Sequence, residues 1–454
     1  MDLYDAAIIG AGVTGIATAR RLAQAGQRVL LLEKGADILS GASKANSALL
    51  HTGFDAPEGS LELSCMQAGY AEYRQIRAAM NLPLLETGAL VVAWTTEQQA
   101  ALPGILAAAH RNGVCDARLL TQAEILAREP KLSALVRAAV LVPGEHVMDP
   151  WSPFHGYALE ILSLGGTILR QTTVSGGRFD GAVWQIDTSR GGYRADAIVN
   201  CAGLFADRID AAFLGRTDFT IHPRKGQFVV FDKAAARHLS TIILPVPDVR
   251  TKGVVLTPTI FGNLLVGPTA EETPDRDRAT TTTEALLGLI ARAAEIVPAL
   301  RQMPVTATYA GLRPATEFKE YRIHHDPALH WVTVGGIRST GLTASLGIAA
   351  HVAALLVLPA RASATAAPPA LPNLAEHLPR DWQMPNHGPI LCHCEMVTRR
   401  EVEAALSGPF PPGDIGGLKR RTRCAMGRCQ GFHCLGALEE ISRGRLAEPI
   451  GLPA

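Results

Sequence analysis

Charge of either sign is scarce in this chain, and so are aromatic residues. Asp, Glu, Lys and Arg make up 19% of 454 residues, Phe, Trp and Tyr only 5%, and the formal net charge is +1. Such an even balance excludes a general nucleic-acid binder, which needs a basic face. A hydrophobic content of 47% excludes a disordered chain. No run of about 18 uncharged apolar residues occurs, the length that a helix needs to cross a bilayer. Acidic Asp2 and Asp5 flank the first apolar run without a cleavage-site pattern behind them, so no secretory signal is expected. Before residue 391 the only cysteines are Cys65, Cys115 and Cys201, expected to serve as packing residues. That poverty argues against a disulfide framework and for a reducing, cytoplasmic setting. The length exceeds one ordinary core and predicts two or three domains.

What is present begins at the first residues. "YDAAIIG" reads as a buried strand, "AGVTG" as a glycine turn, and "IATARRLAQAG" as a helix that Gly26 stops. "RVLLLEKG" is then a second buried strand ending in an acid. Strand, helix and strand within about 30 residues make the βαβ unit of a dinucleotide-binding domain. Further on, "GALVVAW" and "KGQFVVFD" read as strands and "TEALLGLIARAAEIV" as an amphipathic helix. "ADAIVNCAGLFAD" and "HWVTVGGIRSTGLTASLGIAAHVAALLVL" each run from a buried strand into a glycine turn, the second continuing as a long apolar helix. The expected fold class is α/β plus α, in which a Rossmann-like domain interleaves with an α+β substrate domain over residues 1–358. Residues 359–389 are rich in proline and alanine and read as a linker or a strap across a surface. A cysteine-bearing module over 390–454 completes the chain.

Gly10, Gly12 and Gly15 form G-x-G-x-x-G between strand and helix. Gly10 permits the tight turn, Gly12 lets backbone approach a pyrophosphate, and Gly15 lets the helix pack on the strand. The helix N-terminus, at Val13 and Thr14, offers N–H groups to phosphates. Glu33, 18 residues after Gly15 and followed by Lys34, is placed to accept hydrogen bonds from a ribose.

Three stretches add what spacing alone does not: "GASKANSALLHTGFD", "IVNCAGLFAD" and "GIRSTGLTASLGIA". With "GVVLTPTIFGNLLVGPTA" and "YAGLRPA", they resemble the D-amino-acid oxidase-like FAD superfamily over residues 3–358. Within it the resemblance is to the branch of FAD-dependent glycerol 3-phosphate and L-2-hydroxyglutarate dehydrogenases. It implies bound FAD, with Ser43, Lys44, Asn46 and Ser47 near the pyrophosphate and flavin. Val174, Ala202, Gly203, Gly336, Ile337, Gly341, Leu342 and Thr343 would complete the cofactor set.

On the reacting side, the resemblance brings His51 of "LLHTGFD" to the flavin. It is a candidate general base for an alcohol proton, or else a histidine that orients its loop. Arg313 of "GLRPA" is a candidate anchor for a carboxylate or phosphate, its alternative being a structural ion pair. Arg338 of "GIRSTG" either stabilises a reduced flavin or faces water. Arg224 and Lys225 of "HPRKGQF" either steer an anion or end a charged strand.

The last region carries Cys392 and Cys394 as C-x-C, then Cys424, Cys429 and Cys434 with four residues between neighbours. Four thiolates can hold zinc or a [2Fe–2S] cluster, and zinc prefers C-x₂₋₄-C knuckles. "CHCEMVTRREVEAAL" and "LKRRTRCAMGRCQGFHC" resemble the bacterioferritin-associated ferredoxin-like [2Fe–2S] domain, a small helical module. The resemblance implies Cys392, Cys394, Cys429 and Cys434 as ligands, with Cys424 a spare thiol or alternate ligand. The basic run Lys419, Arg420, Arg421, Arg423 and Arg428 would offset thiolate charge, or form a solvated face, or dock an acidic partner.

A flavin takes two electrons and such a cluster passes them singly, so the pair implies export to an electron-accepting protein subunit. The expected activity is dehydrogenation of a small anionic alcohol, glycerol 3-phosphate or a 2-hydroxy acid. The alternatives are an amine, opine or imino-acid dehydrogenase subunit and a non-catalytic electron-transfer subunit.

Overall fold

The computed structural model of the chain describes residues 2–247 and 253–451. Strand β1 (Leu3–Ile9), helix α1 (Val13–Gln24) and strand β2 (Val29–Leu32) form the expected βαβ unit. Every residue of β2 and the last five of β1 are buried, as a parallel strand covered on both faces requires. Parallel neighbours extend the sheet: Thr167–Leu169 pairs with β2, Gly191–Asn200 with β1, and Trp331–Gly335 with Gly191–Asn200. The order along this part of the sheet is thus Thr167–Leu169, β2, β1, Gly191–Asn200, Trp331–Gly335. These strands come from far-apart stretches of chain.

Small residues set the helix layer. A Cβ on Gly347 would lie 2.1 Å from the Cys65 carbonyl oxygen, and one on Gly69 equally close to that of Thr343. Helices Leu61–Ile76 and Gly341–Leu355 therefore approach backbone to backbone. Cys65 and Cys201 pack in the core as expected. Cys115 does not; it lies exposed just after the helix Thr96–Arg111 ends.

A second sheet has nine strands, with the long antiparallel pair His222–Phe231 and Val305–Ala315 at one end; this is the region expected to form the substrate domain. Helix Thr283–Ile296 covers it with Leu289, Ala293 and Ile296. A smaller sheet pairs Leu49–Leu50 with His146–Met148, Leu50 standing opposite His146.

Residues 359–389 form a strap. Gln27 donates to the Pro359 carbonyl at 2.9 Å, the Ala364 amide to Gln24, the Leu371 amide to Met80 and the Glu376 amide to Ile260. The strap thus ties α1 to the substrate domain before delivering the chain to the cysteine module. That module holds a ribbon of Ile390–Cys392 with Val397–Thr398 and helices Arg399–Ser407, Ile415–Thr422 and Leu435–Ser442. Residues 452–454 of the expected 390–454 module lie outside the described residues.

The basic run is not a solvated face. Arg421 and Arg423 are buried, Arg421 grips the fully buried Asp37 through both terminal nitrogens, and Arg423 pairs with Glu395 at 3.1 Å. Arg428 reaches Asp232 at 2.7 Å. Burial pushes the Asp37 carboxyl up, but Arg421, Arg420 and Arg170 outweigh it and hold the group below its usual range. These cations staple the module to the flavin-type domain and the substrate domain. No described helix is long and apolar enough to cross a membrane.

Candidate active site

The cofactor cleft is built on the turn after β1. Gly10 has φ +102°, and a Cβ there would sit 2.6 Å from the Cys201 carbonyl oxygen. A Cβ on Gly15 would lie 1.9 Å from the Gly10 oxygen, so helix and turn can touch only through glycine. Gly12 caps α1 without a side-chain bond, while Ser43 Oγ accepts from the Val13 amide at 3.1 Å. The first turn thus keeps the N–H groups and positive potential that suit a pyrophosphate. The Glu33 carboxylate accepts from the Ala11 and Gly35 amides, each at 2.8 Å. Burial raises its pKa despite those two bonds. It joins β2 to the glycine turn, where a ribose hydroxyl would meet it. The donor set fits the ADP portion of FAD.

Asn46 bridges the Ser43 carbonyl and the Ala48 amide, and Thr343 donates to the Leu49 carbonyl and accepts from the His51 amide at 3.0 Å. Gly203 and Gly336 take positive φ at the turns after their strands. Ile337 packs against Gly341, where helix Gly341–Leu355 begins, and Leu342 lies against the main core. Val174 and Ala202 pack beside β1 and β2, and the Thr14 hydroxyl reaches the Cys201 thiol. Lys34 is the outlier. It is half exposed, pairs with Asp277 at 3.0 Å and sits over the Phe205 ring, away from the glycine turn.

His51 and Glu145 form a dyad. Nδ1 of His51 lies 2.7 Å from Glu145 Oε2, and the other carboxylate oxygen accepts from the Thr52 amide and hydroxyl. The strand register explains the meeting: Leu50 opposite His146 sets the next residue, His51, beside Glu145. Glu145 is fully buried. With the carboxylate holding Nδ1 as a donor, Nε2 carries the imidazole lone pair, the arrangement of a base oriented by a third group.

Glu145 escaped the sequence reading. Its one signal was an acid set among the apolar residues of "VLVPGEHVMDP".

Arg313 stands on strand Val305–Ala315, opposite Arg224. This strand crosses the cofactor segment, because Tyr309 donates to the Asn46 carbonyl at 2.8 Å and Gly311 abuts Ala45. Arg313 donates to the Thr269 carbonyl at 3.2 Å, and no carboxylate pairs with it among the described residues. Burial, with Arg224 adding repulsion, pulls its guanidinium down to about 10. A largely enclosed cation beside another cation is an open demand for an anion.

Arg224 and Lys225 do not share that role. They pair across the sheet with Glu272 and Glu271 at 2.6 and 3.0 Å. Arg338 donates to the Lys319 carbonyl from an exposed position.

The five thiols of the module lie in two contact groups: Cys392 with Cys424 and Cys434, and Cys394 with Cys429. Among the described residues no three His, Cys, Asp or Glu side chains are arranged to hold a metal ion. The expected set of Cys392, Cys394, Cys429 and Cys434 is divided between these two groups, with Cys392 within electrostatic reach of both. Cys424, fully buried in the module core, takes the place beside Cys392. Its thiol bond pulls Cys392 down to about 5, while Cys424 itself is pushed up.

Fold and cleft define the class: an enzyme that joins a dinucleotide-binding sheet to a second, nine-stranded sheet. The family model described as DAO, FAD dependent oxidoreductase, matches residues 5–355. The chain belongs to this family of FAD-dependent oxidoreductases. It is 30% identical over 462 residues to a glycerol 3-phosphate dehydrogenase of Caloramator mitchellensis, covering 99% of this chain and 95% of the relative. Among solved structures, dithionite-reduced L-alpha-glycerophosphate oxidase from Mycoplasma pneumoniae with FAD bound superposes with TM-score 0.74. Its identity is 27%, covering 80% of this chain and 97% of the oxidase. Glycine oxidase from Geobacillus kaustophilus gives TM-score 0.70 at 27% identity, covering 78% and 95%.

Proposed function

We propose that this protein is a glycerol 3-phosphate dehydrogenase, with 2-hydroxy acids as the neighbouring substrate class. The observation that carries the reading is Arg313, a largely enclosed guanidinium on the strand that crosses the cofactor segment, without a carboxylate partner among the described residues. An alcohol bearing a phosphate or carboxylate would supply the missing charge, and the arginine fork would fix its orientation. His51 Nε2 would take the hydroxyl proton, and Glu145 would stabilise the imidazolium that forms. The carbon-bound hydrogen leaves as hydride, and the product is the corresponding ketone. When bound, FAD supplies the two-electron acceptor for that hydride. The relatives named for glycerol 3-phosphate favour the phosphate over the carboxylate.

The electron outlet is the second part of the reading. Cys392, Cys394, Cys429 and Cys434, with Cys424 as alternate, would hold a [2Fe–2S] cluster, a one-electron acceptor. Two observations support it. Five soft sulfur donors lie in two adjoining groups within one small module. The dehydrogenase relative matches 99% of the chain, whereas the oxidase structure covers 80% of it and the family model stops at residue 355. A protein subunit would then receive single electrons.

The test is anaerobic bleaching of the bound flavin by glycerol 3-phosphate, L-2-hydroxyglutarate, glycerol and glycine. Bleaching by glycerol 3-phosphate at far lower concentration than glycerol is expected. Bleaching by glycine alone would move the protein to the amine oxidisers of its family.

A further inference from the structure

We propose that the cavity between the substrate-domain sheet and the cysteine module binds a second ligand besides FAD, an aromatic ring carrying a phosphate. The proposal does not depend on which substrate the active site takes. The cavity holds ≈ 340 Å³, within the range of about 300–1,000 Å³ for small-ligand sites. Segment 44–48 forms one wall, Trp151, Phe261 and Tyr309 a second, and the module closes it with Lys419, Arg420 and Arg423.

The charge is one-sided. Lys44, Lys419, Arg420 and Arg423 line the cavity, and no Asp or Glu does. Arg423 is satisfied by Glu395. Lys44, Lys419 and Arg420 have no carboxylate within ion-pair distance among the described residues, and Arg420 donates only to the Ile38 carbonyl, at 3.0 Å. Asp37, Asp414 and Glu33 act on Arg420 from outside the lining, and Lys44 is exposed. The cost of gathering these cations therefore falls mainly on partly buried Lys419 beside Arg423, and a bound anion would recover it.

The opposite wall is apolar and aromatic. Trp151 and Phe261 stack with ring centroids 5.6 Å apart at 15°, and Trp151 is pinned by its Nε1 bond to the Lys44 carbonyl. Arg423 already lies over the Phe261 ring, 3.9 Å from its centroid, and Tyr309 stacks on Phe228. A planar ring on that wall would therefore rest on Trp151 and bring its phosphate to Lys419 and Arg420. The glycine turn, Glu33, Gly203 and Gly336–Thr343 do not line this cavity, so it adjoins the FAD cleft at segment 44–48 without being that cleft.

The experiment is equilibrium dialysis of the full chain, saturated with FAD, against FMN, ADP and inorganic phosphate. One equivalent of FMN or ADP should bind above the FAD, and phosphate alone at least about tenfold more weakly, since it lacks the ring contacts. The arm that binds tighter tells a flavin nucleotide from an adenine nucleotide. Lys419→Gln should weaken binding about tenfold, the worth of one charge-assisted hydrogen bond, while Lys419→Arg should restore it. Phe261→Leu should weaken the ring-bearing probes and leave phosphate unchanged. FAD content and thermal midpoint are measured for each variant, so that misfolding is not read as lost affinity. The proposal is overturned if neither FMN nor ADP binds the wild-type protein above its FAD. It is equally overturned if phosphate binds as tightly as ADP, or if folded Lys419→Gln binds like wild type.

Discussion

Replacing Arg313 by leucine should weaken catalysis while leaving the folded protein at least as stable. The side chain carries a charge that burial and Arg224 make costly, and it has no carboxylate to offset that cost among the described residues. If a substrate phosphate accepts two charge-assisted hydrogen bonds from the guanidinium, each worth about 1.5–3 kcal/mol, the loss is about 3–6 kcal/mol. That corresponds to a fall in kcat/KM of about 10²- to 10⁴-fold for glycerol 3-phosphate, with glycerol turnover unaffected. Arg313→Lys keeps the charge but loses the fork, and should fall between wild type and the leucine variant.

Stability gives the second readout. A cation whose pKa drops on folding destabilises the native state fully below its folded value, about 10, and the penalty fades as pH rises from there toward the ordinary arginine range. The leucine variant should therefore match or exceed the wild-type melting temperature at pH 7–9, with the difference shrinking above pH 10. Steady-state kinetics on both substrates and thermal scans across pH measure this. A leucine variant with unchanged kcat/KM, or one that melts well below wild type at pH 8, would refute the anion-anchor role in favour of a structural one.

Three further outcomes are expected. Glu145→Gln presents an amide donor to Nδ1 and forces the proton onto Nε2, so flavin reduction should slow by about 10²–10⁴-fold at pH 7, the range of general-base catalysis. Unchanged reduction kinetics would remove His51 from the base role. Arg421→Ala strands the buried Asp37 and should cost about 3–5 kcal/mol of unfolding free energy at pH 7 in a denaturant melt. Because the folded Asp37 pKa lies below its unfolded value, the stability this pair adds holds above roughly pH 4. It is lost as pH falls through the lowered pKa, so wild type and Arg421→Ala should converge in acid. Cys392→Ser should abolish bound iron and its visible absorption while leaving FAD content intact, as judged by metal analysis; iron retained in that variant would refute the thiolate set.

The parts of the structure legible in the sequence were the local ones. β1, the glycine turn, α1 and β2 are contiguous, and their burial follows from short apolar runs and a helical period. Long-range partners were not legible. Glu145 meets His51 across 94 residues through a two-residue strand whose register no local pattern announces. The basic run around Arg421 read as solvated or as thiolate-balancing, because its true partner, Asp37, lies 384 residues earlier. Arg224 and Lys225 read equally as anion guides or as a charged strand end until the sheet placed Glu272 and Glu271 opposite them. Arg313, on the neighbouring strand, was legible only as a candidate anion anchor or as half of a structural ion pair. Its want of a carboxylate partner is visible only in the fold. Equal spacing in the cysteine run left open which thiols associate, and packing put the buried Cys424 against Cys392.

The most direct test of the dehydrogenase reading is stopped-flow bleaching of the flavin under anaerobic conditions with glycerol 3-phosphate and its C2-deuterated form. Hydride loss from the alcohol carbon, assisted by His51 and anchored by Arg313, predicts full bleaching with a several-fold slower rate for the deuterated substrate. No bleaching by glycerol 3-phosphate, or bleaching only by amines, would contradict it.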